Sequence, residues 1–322
     1  MSAFKNLTAK ETAERLLSLR NPVIMMHTHP DGDTVGSASA LIKILRRLGI
    51  DAEYTSPDKL PDRLAFLLEG EKEADTLSNR ELVAIDVASP TQLGSLKEYA
   101  DKVLFTIDHH KINSPFSDNF TVPDISSAGE TLMLVLGELI NMGKCELDKE
   151  IAYPLYAAIS SDTGGFVFSC ATAQTYRLAA ALINTGIDFS DINHRLFFSK
   201  SKEQIRAEGF VSSKLKTELN GRIAYATLSK AERENLRLSS EHFETAIDIV
   251  RSVIFAEIAV FVRENDDGTI KASMRSTGAD VASVAKIFGG GGHVRAAGCT
   301  ISANDVLQGA RILLEEIKKT MH

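Results

Sequence analysis

The sequence predicts an α/β protein, with a parallel sheet in its N-terminal part and a smaller α/β domain in its C-terminal part. Short apolar runs alternate with helical patterns between residues 23 and 107, which is typical of βαβ units. A different pattern of apolar and polar residues begins after Gly221, and it includes an Asp-Gly pair that is typical of a β-hairpin turn. The 322 residues suffice for two domains, so we expect an N-terminal domain at 1–190, a helical connector at 191–220 and a second domain at 221–322.

The elements of the N-terminal part follow one another as strand and helix. Thr8 and Glu11 have the pattern of a capping box, so a first helix is expected to run through Leu19. Apolar runs then predict strands at residues 23–26, 52–55, 82–85 and 103–107. Helical spacing between these runs predicts helices at residues 35–48, 63–68 and 92–99.

The rest of the chain is predicted in the same way. Residues 129–183 are mostly helical, interrupted by the small-residue turn S160-S-D-T-G-G165, and residues 191–215 are helical and charged. The C-terminal part is expected to contain strands at 223–228, 257–262, 269–275 and 299–301. It is also expected to contain helices at 241–254, 280–288 and 306–319.

Charge and cysteine content exclude some classes of function. A net charge of −7 and a pI near 5.7 argue against the broad cationic face that binds long duplex DNA. Three scattered cysteines without a CxxC pair argue against a zinc ribbon and indicate a reducing cytoplasm. The N-terminus lacks the pattern of a signal peptide, and the longest apolar stretch, residues 132–136, is too short to cross a bilayer. We therefore expect a soluble cytoplasmic protein without a membrane partner.

The segment H27-T-H-P-D-G-D33 concentrates side chains that bind metals. Pro30 ends the strand and Gly32 permits a bend, so His27, Asp31 and Asp33 can turn toward one point. Imidazole and carboxylate ligands suit Mn²⁺, Mg²⁺, Fe²⁺ or Zn²⁺. The competing interpretation is a polar loop in which Asp33 caps the next helix. His29 falls on the opposite side of the chain and is expected to face solvent or to support a ligand.

Three further segments add residues of the same type. Asp86 directly follows an apolar strand, where a buried carboxylate needs a partner. In D108-H-H110 one imidazole can bind a metal while the other contacts substrate, and Asp108 can fix a ring tautomer. Asp162 lies in the small-residue turn, which by itself is also compatible with an ordinary turn.

These acids are expected to meet at one edge of the sheet. His27, Asp86 and Asp108 each follow a predicted strand, and open α/β sheets bind ligands beyond the carboxyl ends of their strands. Charged carboxylates packed so densely repel one another, so the cluster needs a compensating positive charge. A pair of divalent metal ions would supply it, and such a pair suits phosphoester cleavage.

The C-terminal part contains a glycine-rich segment with cationic neighbours. G289-G-G-G-H293 holds four consecutive glycines, which favour a close approach of backbone N–H groups to an anion; the competing interpretation is a flexible hinge. The residues predicted to bind substrate here are Gly290, Gly291, Gly292, His293 and Arg295. Arg275 is predicted to clamp a phosphate, with a surface salt bridge as its alternative.

Together, HTHPDGD, the lone Asp86, DHH, SSDTGG and GGGGH resemble the DHH phosphoesterase family, in family order and over almost the whole chain. The resemblance is to the short nanoRNase and 3′-phosphoadenosine 5′-phosphate phosphatase type. It implies a DHH domain and a DHH-associated domain with a cleft between them. It also implies that His27, Asp31 and Asp86 hold one Mn²⁺, while Asp33, Asp86, His109 and Asp162 hold another. His110 would then face the scissile phosphate, with Arg275 and His293 contacting the substrate; the role of Arg295 stays open.

The predicted function is two-metal hydrolysis of short oligoribonucleotides, of 3′-phosphoadenosine 5′-phosphate, or of both. One alternative is a cyclic-di-AMP or linear dinucleotide phosphodiesterase, and another is a nucleotide-binding module without catalysis. A nucleic-acid-binding role for K200-S-K-E-Q-I-R206 is less favoured, because Glu203 and Glu208 make that stretch a mixed helix face. Cleavage polarity, the native metal and the choice between a monomer and a homodimer stay open.

Overall fold

The computed structural model describes residues 4–110, 115–122 and 124–321. The chain divides into two compact units, Met1–Ser199 and Lys200–His322. This division falls inside the predicted connector, at Ser199. Each unit packs its own hydrophobic core.

The first unit contains a five-stranded parallel sheet. Its strands are Pro22–Met25 (β1), Glu53–Thr55 (β2), Glu81–Ile85 (β3), Val103–Asp108 (β4) and Asp118–Thr121 (β5), in the order β2-β1-β3-β4-β5. All residues of β1 are buried, as expected for a central strand covered on both faces. The predicted α/β class is confirmed. β5 was not predicted, because D118-N-F-T121 is short and polar.

Helices cover this sheet. They are Ala9–Ser18 (α1), Gly32–Arg47 (α2), Ala128–Asn141 (α3), Lys149–Asp162 (α4), Ala173–Asn184 (α5) and Phe189–Asn193 (α6). The capping box at Thr8 and Glu11 is confirmed at the start of α1. The helical patterns predicted at 63–68 and 92–99 fold instead as 3₁₀ segments, Asp62–Leu68 and Pro90–Lys102, the second interrupted at Gly94.

A close contact between α2 and α4 fixes the helix that carries the first sequence motif. A Cβ atom added to Gly36 would lie 2.6 Å from the carbonyl oxygen of Pro154 and 2.9 Å from the nitrogen of Ala158. Only glycine permits this approach of the two backbones. The start of α2 and the end of α4 are thereby held in one packed layer.

The second unit contains a six-stranded mixed sheet. Its strands are Lys216–Glu218 (β6), Ile223–Leu228 (β7), Ile258–Glu264 (β8), Ile270–Ser276 (β9), Gly291–His293 (β10) and Ala296–Ile301 (β11), in the order β10-β11-β9-β8-β7-β6. Its helices are Lys202–Ser213 (α7), Lys230–Asn235 (α8), Ala246–Arg251 (α9), Val281–Ile287 (α10) and Val306–Thr320 (α11).

Alternating residues of β8 divide the core of this unit between two faces. Val260 and Val262 pack with Leu313 of α11, whereas Phe261 packs with Val250 of α9 on the other face. The single helix predicted at 241–254 was wrong, because a 3₁₀ turn at Ser240–Phe243 precedes the shorter α9. Within the parts of both units that the structure describes, no helix combines the length and the apolar character needed to cross a membrane.

Candidate metal centre

The carboxyl ends of β1, β3 and β4 gather most of the predicted metal-binding residues. We call this group, completed by residues from α2 and α4, the acidic rim; its members are His27, Asp31, Asp33, Asp86, Asp108, His109, His110 and Asp162. The strands are parallel, so their ends meet at one edge of the sheet, as the sequence predicted. His29 lies outside the rim: its side chain is 87% exposed and faces Asp58 at 3.5 Å.

His27 points a ring nitrogen into the rim. Its Nδ1 lies 2.7 Å from the carbonyl oxygen of Thr28, which can only accept, so Nδ1 carries the proton. In the neutral ring with its proton on Nδ1, Nε2 has the lone pair, and this atom lies 3.3 Å from Asp86 Oδ2 and 3.9 Å from Asp31 Oδ1. This tautomer is the one that binds a metal through Nε2.

Asp86 lies at the centre of the rim in an unusual backbone conformation. Its φ is 59°, a left-handed value that costs a residue other than glycine about 1–3 kcal/mol. The residue is 2% exposed, and Thr34 Oγ1 donates a hydrogen bond to its Oδ2. Its Oδ1 is buried and accepts no hydrogen bond from any residue that the structure describes. An unsatisfied, buried carboxylate oxygen is costly unless a cation binds it.

The two aspartates of the first motif have separate roles at helix ends. Asp31 caps α2 by accepting from Asp33 N and Thr34 N, at 3.0 and 3.1 Å. The competing interpretation, that Asp33 is this cap, was therefore wrong. Asp33 instead accepts from the backbone nitrogens of Ala128 and Gly129, at 2.6 and 3.0 Å, at the start of α3. Burial and the nearby charge of Asp31 nevertheless raise the pKa of Asp33 to about 7.

The D108-H-H110 turn directs its two imidazoles differently. Asp108 Oδ1 accepts from the backbone nitrogen of His110 at 3.1 Å and lies 2.9 Å from His110 Nδ1. Although burial lowers the pKa of His110, this bond and the charge of Asp86 raise it to about 9. His109 instead directs Nε2 toward Asp33, Asp86 and Asp162, at 3.8, 3.6 and 3.4 Å. Asp108 therefore orients His110, and His109 lies among carboxylates.

The donor set of the acidic rim fits divalent metal ions. Three groups of donor atoms each lie within 4.8 Å of one another: His27, Asp31 and Asp86; Asp33, His109 and Asp162; and Asp86, Asp108, His109 and His110. Burial and the neighbouring carboxylates raise the pKa values of Asp86 and Asp162 well above their usual range. Among the described residues, no lysine or arginine lies within 4.0 Å of these carboxylates. Of the residues that the structure describes, His110 supplies part of the compensating charge, because its Nδ1 lies 3.4 Å from Asp86 Oδ1 and its pKa is raised to about 9.

Residues that the sequence did not single out support this arrangement. Thr34 bonds Asp86, Ser37 Oγ bonds Asp33 Oδ1 at 3.0 Å, and the N-terminus of α3 bonds Asp33 through its backbone. Thr34 follows Asp33 by one residue, and Ser37 follows it by one helical turn. From the sequence, only this spacing on a predicted helix could have indicated that they lie near Asp33. The contribution of α3 depends on a contact between distant parts of the chain.

The remaining predicted residues lie in the second unit, on a hairpin. Gly291–His293 pairs antiparallel with Ala296–Gly298, so the glycine segment is partly strand rather than an open loop. A Cβ on Gly290 would lie 2.2 Å from Gly298 O, and one on Gly292 would lie 2.4 Å from Ala296 O. Close packing of two strands thus explains these two glycines.

The strand register places His293 and Arg275 on one face of the sheet. His293 pairs with Ala296, which pairs with Arg275, and directly opposite residues share a face. Arg275 donates to the carbonyl oxygen of Met274 at 3.0 Å. Arg295, in the hairpin turn, extends its Nη1 over Gly278. Neither arginine has a carboxylate within 4.0 Å among the residues described, so the salt bridge considered for Arg275 is not formed there. We call Arg275, His293 and Arg295 the cationic rim.

Comparison with known proteins assigns a class to both units. Residues 21–159 match the model of the DHH family N-terminal domain, and residues 220–320 match the DHHA1 domain. The chain is 31% identical over 315 residues to a bifunctional oligoribonuclease and PAP phosphatase of Thermus thermophilus, covering 96% of this chain and 93% of the relative. A Bacillus subtilis relative of the same name is 27% identical, covering 90% of this chain and 93% of the relative.

A solved structure supports the fold. The exopolyphosphatase-related protein of Bacteroides fragilis superposes with a TM-score of 0.86 at 23% identity, covering 97% of this chain and 96% of that one. The fold and the acidic rim thus define a metal-dependent phosphoesterase. The chain belongs to the DHH family, whose enzymes depend on divalent metal ions.

Proposed function

We propose that this protein is a manganese-dependent, two-metal phosphoesterase that hydrolyses short oligoribonucleotides, 3′-phosphoadenosine 5′-phosphate, or both. The observation that carries the proposal is the acidic rim. Among the residues that the structure describes, Asp86 Oδ1 is buried without a hydrogen bond, and the nearby carboxylates have no lysine or arginine within 4.0 Å. The names of the two curated relatives support the choice of substrates.

The ligands divide into two sets that share Asp86. His27, Asp31 and Asp86 would hold one ion, and Asp33, Asp86, His109 and Asp162 would hold the other. The two oxygens of Asp86 face different imidazoles: Oδ2 lies 3.3 Å from His27 Nε2 and Oδ1 lies 3.6 Å from His109 Nε2. A carboxylate with this geometry suits a bridging role. When bound, the ion pair would polarise the phosphoester and lower the pKa of the attacking water.

His110 would contact the scissile phosphate. Asp108 Oδ1 lies 2.9 Å from Nδ1 of this ring and favours its protonated form, which would donate a hydrogen bond to a phosphate oxygen as negative charge develops. Asp108 acts through His110, because it holds Nδ1 of that ring at 2.9 Å. Asp108 is therefore a positioning residue.

The cationic rim would bind the phosphates of the nucleotide. Burial lowers the pKa of Arg275, yet a guanidinium stays charged at neutral pH and can bind phosphate through two donors. His293 and Arg295 add donors, and the backbone of Gly290, Gly291 and Gly292 lies beside them. The absence of a carboxylate partner within 4.0 Å of Arg275 and Arg295, among the residues described, supports this role.

A side-by-side assay tests the proposal. The purified chain is incubated with a diribonucleotide, 3′-phosphoadenosine 5′-phosphate and cyclic-di-AMP, each with Mn²⁺, with Mg²⁺ and with chelator. We expect Mn²⁺-dependent release of mononucleotide or phosphate from the first two substrates and none with chelator. Preferential cleavage of cyclic-di-AMP would replace the proposed substrate, and nucleotide binding without turnover would indicate a non-catalytic module.

Metal stoichiometry tests the two-ion assignment separately. Equilibrium dialysis against Mn²⁺ is expected to give two ions per chain in the unaltered protein and one in the variant His27→Ala. A single ion in the unaltered protein would contradict the two-metal assignment.

A further inference from the structure

The segment that joins α9 to β8 exposes two large apolar side chains. Ile254 is 74% exposed and Phe255 is 80% exposed. They lie in a tight turn closed by a hydrogen bond from Ala256 N to Val253 O, at 3.2 Å. Neither side chain contributes to the core of the second unit, so packing does not explain their apolar character.

Phe255 also has a backbone conformation that favours glycine. Its φ is 66°, in the left-handed region that bulky side chains rarely adopt. An exposed ring gains little from burial, and this conformation works against stability. Unfavourable backbone conformations of this kind concentrate at binding sites, so the residues around Phe255 indicate what this side chain would bind.

Backbone hydrogen bonds place Phe255 at the same end of the sheet as the cationic rim. Glu257, which follows Phe255 by two residues, accepts from Thr277 N at 3.0 Å. The neighbouring Ser276 N donates to Arg295 O at 2.9 Å, and Arg275 precedes Ser276 on β9. Phe255 therefore precedes the start of β8, beside the end of β9 that carries Arg275.

Charge selects the kind of ligand that would cover this ring. α9 packs against β9, the strand that carries Arg275, and Arg251 at its C-terminus lies 3.7 Å from Asp248 of the same helix. An apolar ring at the end of the sheet that carries Arg275 and Arg295 is unsuited to a purely apolar partner. It suits a ligand with a flat, aromatic part and a phosphate, which is a nucleotide.

We propose that Phe255 is the stacking surface for a nucleobase whose phosphate is bound by Arg275, His293 and Arg295. This inference deepens the proposed function and rests on it, since it assigns the base of the same substrate. Every base has a face that can stack on an aromatic ring, so Phe255 would support binding of short RNA without selecting its sequence.

The test compares ligands with and without a base. Binding of adenosine 5′-monophosphate and of ribose 5-phosphate to the full chain is measured by calorimetry in chelator, so that no turnover occurs. Phe255→Gly removes the ring and suits the left-handed backbone, whereas Phe255→Trp keeps an aromatic surface. Phe198→Ala, at a residue 72% exposed in the first unit, is the matched control.

We expect Phe255→Gly to weaken binding of adenosine 5′-monophosphate roughly tenfold, as loss of one base stack does, and to leave ribose 5-phosphate unchanged. Phe255→Trp and Phe198→Ala should bind as the unaltered protein does. Unchanged affinity in Phe255→Gly, or equal weakening for both ligands, would overturn the stacking role. If base-dependent binding is observed but no phosphoester is cleaved, the stacking role stands and the proposed function fails.

Discussion

The acidic rim and the cationic rim differ in the sign of their charge and in the kind of ion that each would attract. The acidic rim buries several carboxylates without a lysine or arginine within 4.0 Å among the described residues, so it needs cations from solution. In the cationic rim, Arg295 is exposed and Arg275 is half-buried, and neither has a carboxylate within 4.0 Å among the described residues. This surface is therefore suited to an anion. In the proposed function, the first property would serve the reacting phosphorus and the second would serve the rest of the nucleotide.

The two rims also differ in how they are built. Most of the acidic rim comes from short motifs at the ends of parallel strands, where a side chain's direction follows from its place after the strand. The cationic rim depends on the register of an antiparallel hairpin, in which His293 pairs with Ala296 and Ala296 with Arg275. Local motifs are sufficient to predict the residues of the first arrangement, whereas the shared face of the second depends on the register between strands.

The largest effect is expected from Asp86. Replacing Asp86 by Asn keeps a side chain that tolerates the left-handed backbone but removes the charge that would bridge two ions. Loss of a residue that supports a metal ligand typically costs about 10–100-fold in activity, so loss of a bridging ligand should exceed about a hundredfold. Turnover in Mn²⁺ measures this loss. Activity within a few-fold of the unaltered protein would remove Asp86 from the site.

The same variant is expected to be more stable without metal. Burial and neighbouring carboxylates raise the pKa of Asp86, so its ionised form destabilises the metal-free protein near neutral pH. The free energy of unfolding of Asp86→Asn in chelator, measured with urea, should exceed that of the unaltered protein. A lower value would mean that the carboxylate is stabilised by the protein alone.

A smaller loss is expected from Asp108, which touches no substrate in the proposed arrangement. Asp108→Asn removes the charge beside His110 Nδ1, so the pKa of His110 should fall from about 9. We expect kcat to fall about 10–100-fold with little change in KM, and the alkaline limb of the rate profile to move to lower pH. A merely structural role would lower stability without moving that limb.

In the cationic rim, Arg275→Gln should raise KM about tenfold, since a hydrogen bond to a charged group contributes about 1.5–3 kcal/mol. The rate at saturating substrate should change less. Arg222→Gln is the matched control in the same unit, because Arg222 is already paired with Glu257 at 2.7 Å. Equal effects of the two substitutions would show that Arg275 acts only through general charge.

The smallest effect concerns the pH dependence of stability. Burial and the charge of Asp31 raise the pKa of Asp33 from 3.8 to about 7. Between these two pH values the folded protein binds more protons at Asp33 than the unfolded chain does, so this residue makes the free energy of unfolding fall as pH rises. The fall should be seen above about pH 5, where the ion-paired carboxylates of lowered pKa are already ionised in both states. The raised pKa of His110, about 9, extends this decline, since its stabilisation is complete below pH 6.5 and is lost as pH rises through 9.

Thermal unfolding in chelator across this pH range measures the decline. Mn²⁺ should counteract it most at high pH, where protons no longer compete for the carboxylates. A stability that rises with pH in chelator would contradict the assignment of these buried, uncompensated acids.

The sequence by itself determined the α/β class, the parallel order of strand and helix, and the residue types of both rims. The apolar runs that precede His27, Asp86 and Asp108 predict three strands and the polar residue that follows each of them. Such a prediction needs only neighbouring residues, because the alternation within a strand and the position after its end are local properties. The capping box at Thr8 was likewise readable, since its partners lie within one turn.

Only the tertiary structure decided which side chains meet and which groups satisfy them. Asp33 accepts from the start of α3, a contact across 95 residues that no spacing in the sequence reveals. Gly290 and Gly292 owe their identity to the backbone of β11, and His293 shares a face with Arg275 only through strand register. The reason is physical: burial, close approach and register arise between distant segments, and a sequence pattern records the needs of one segment at a time.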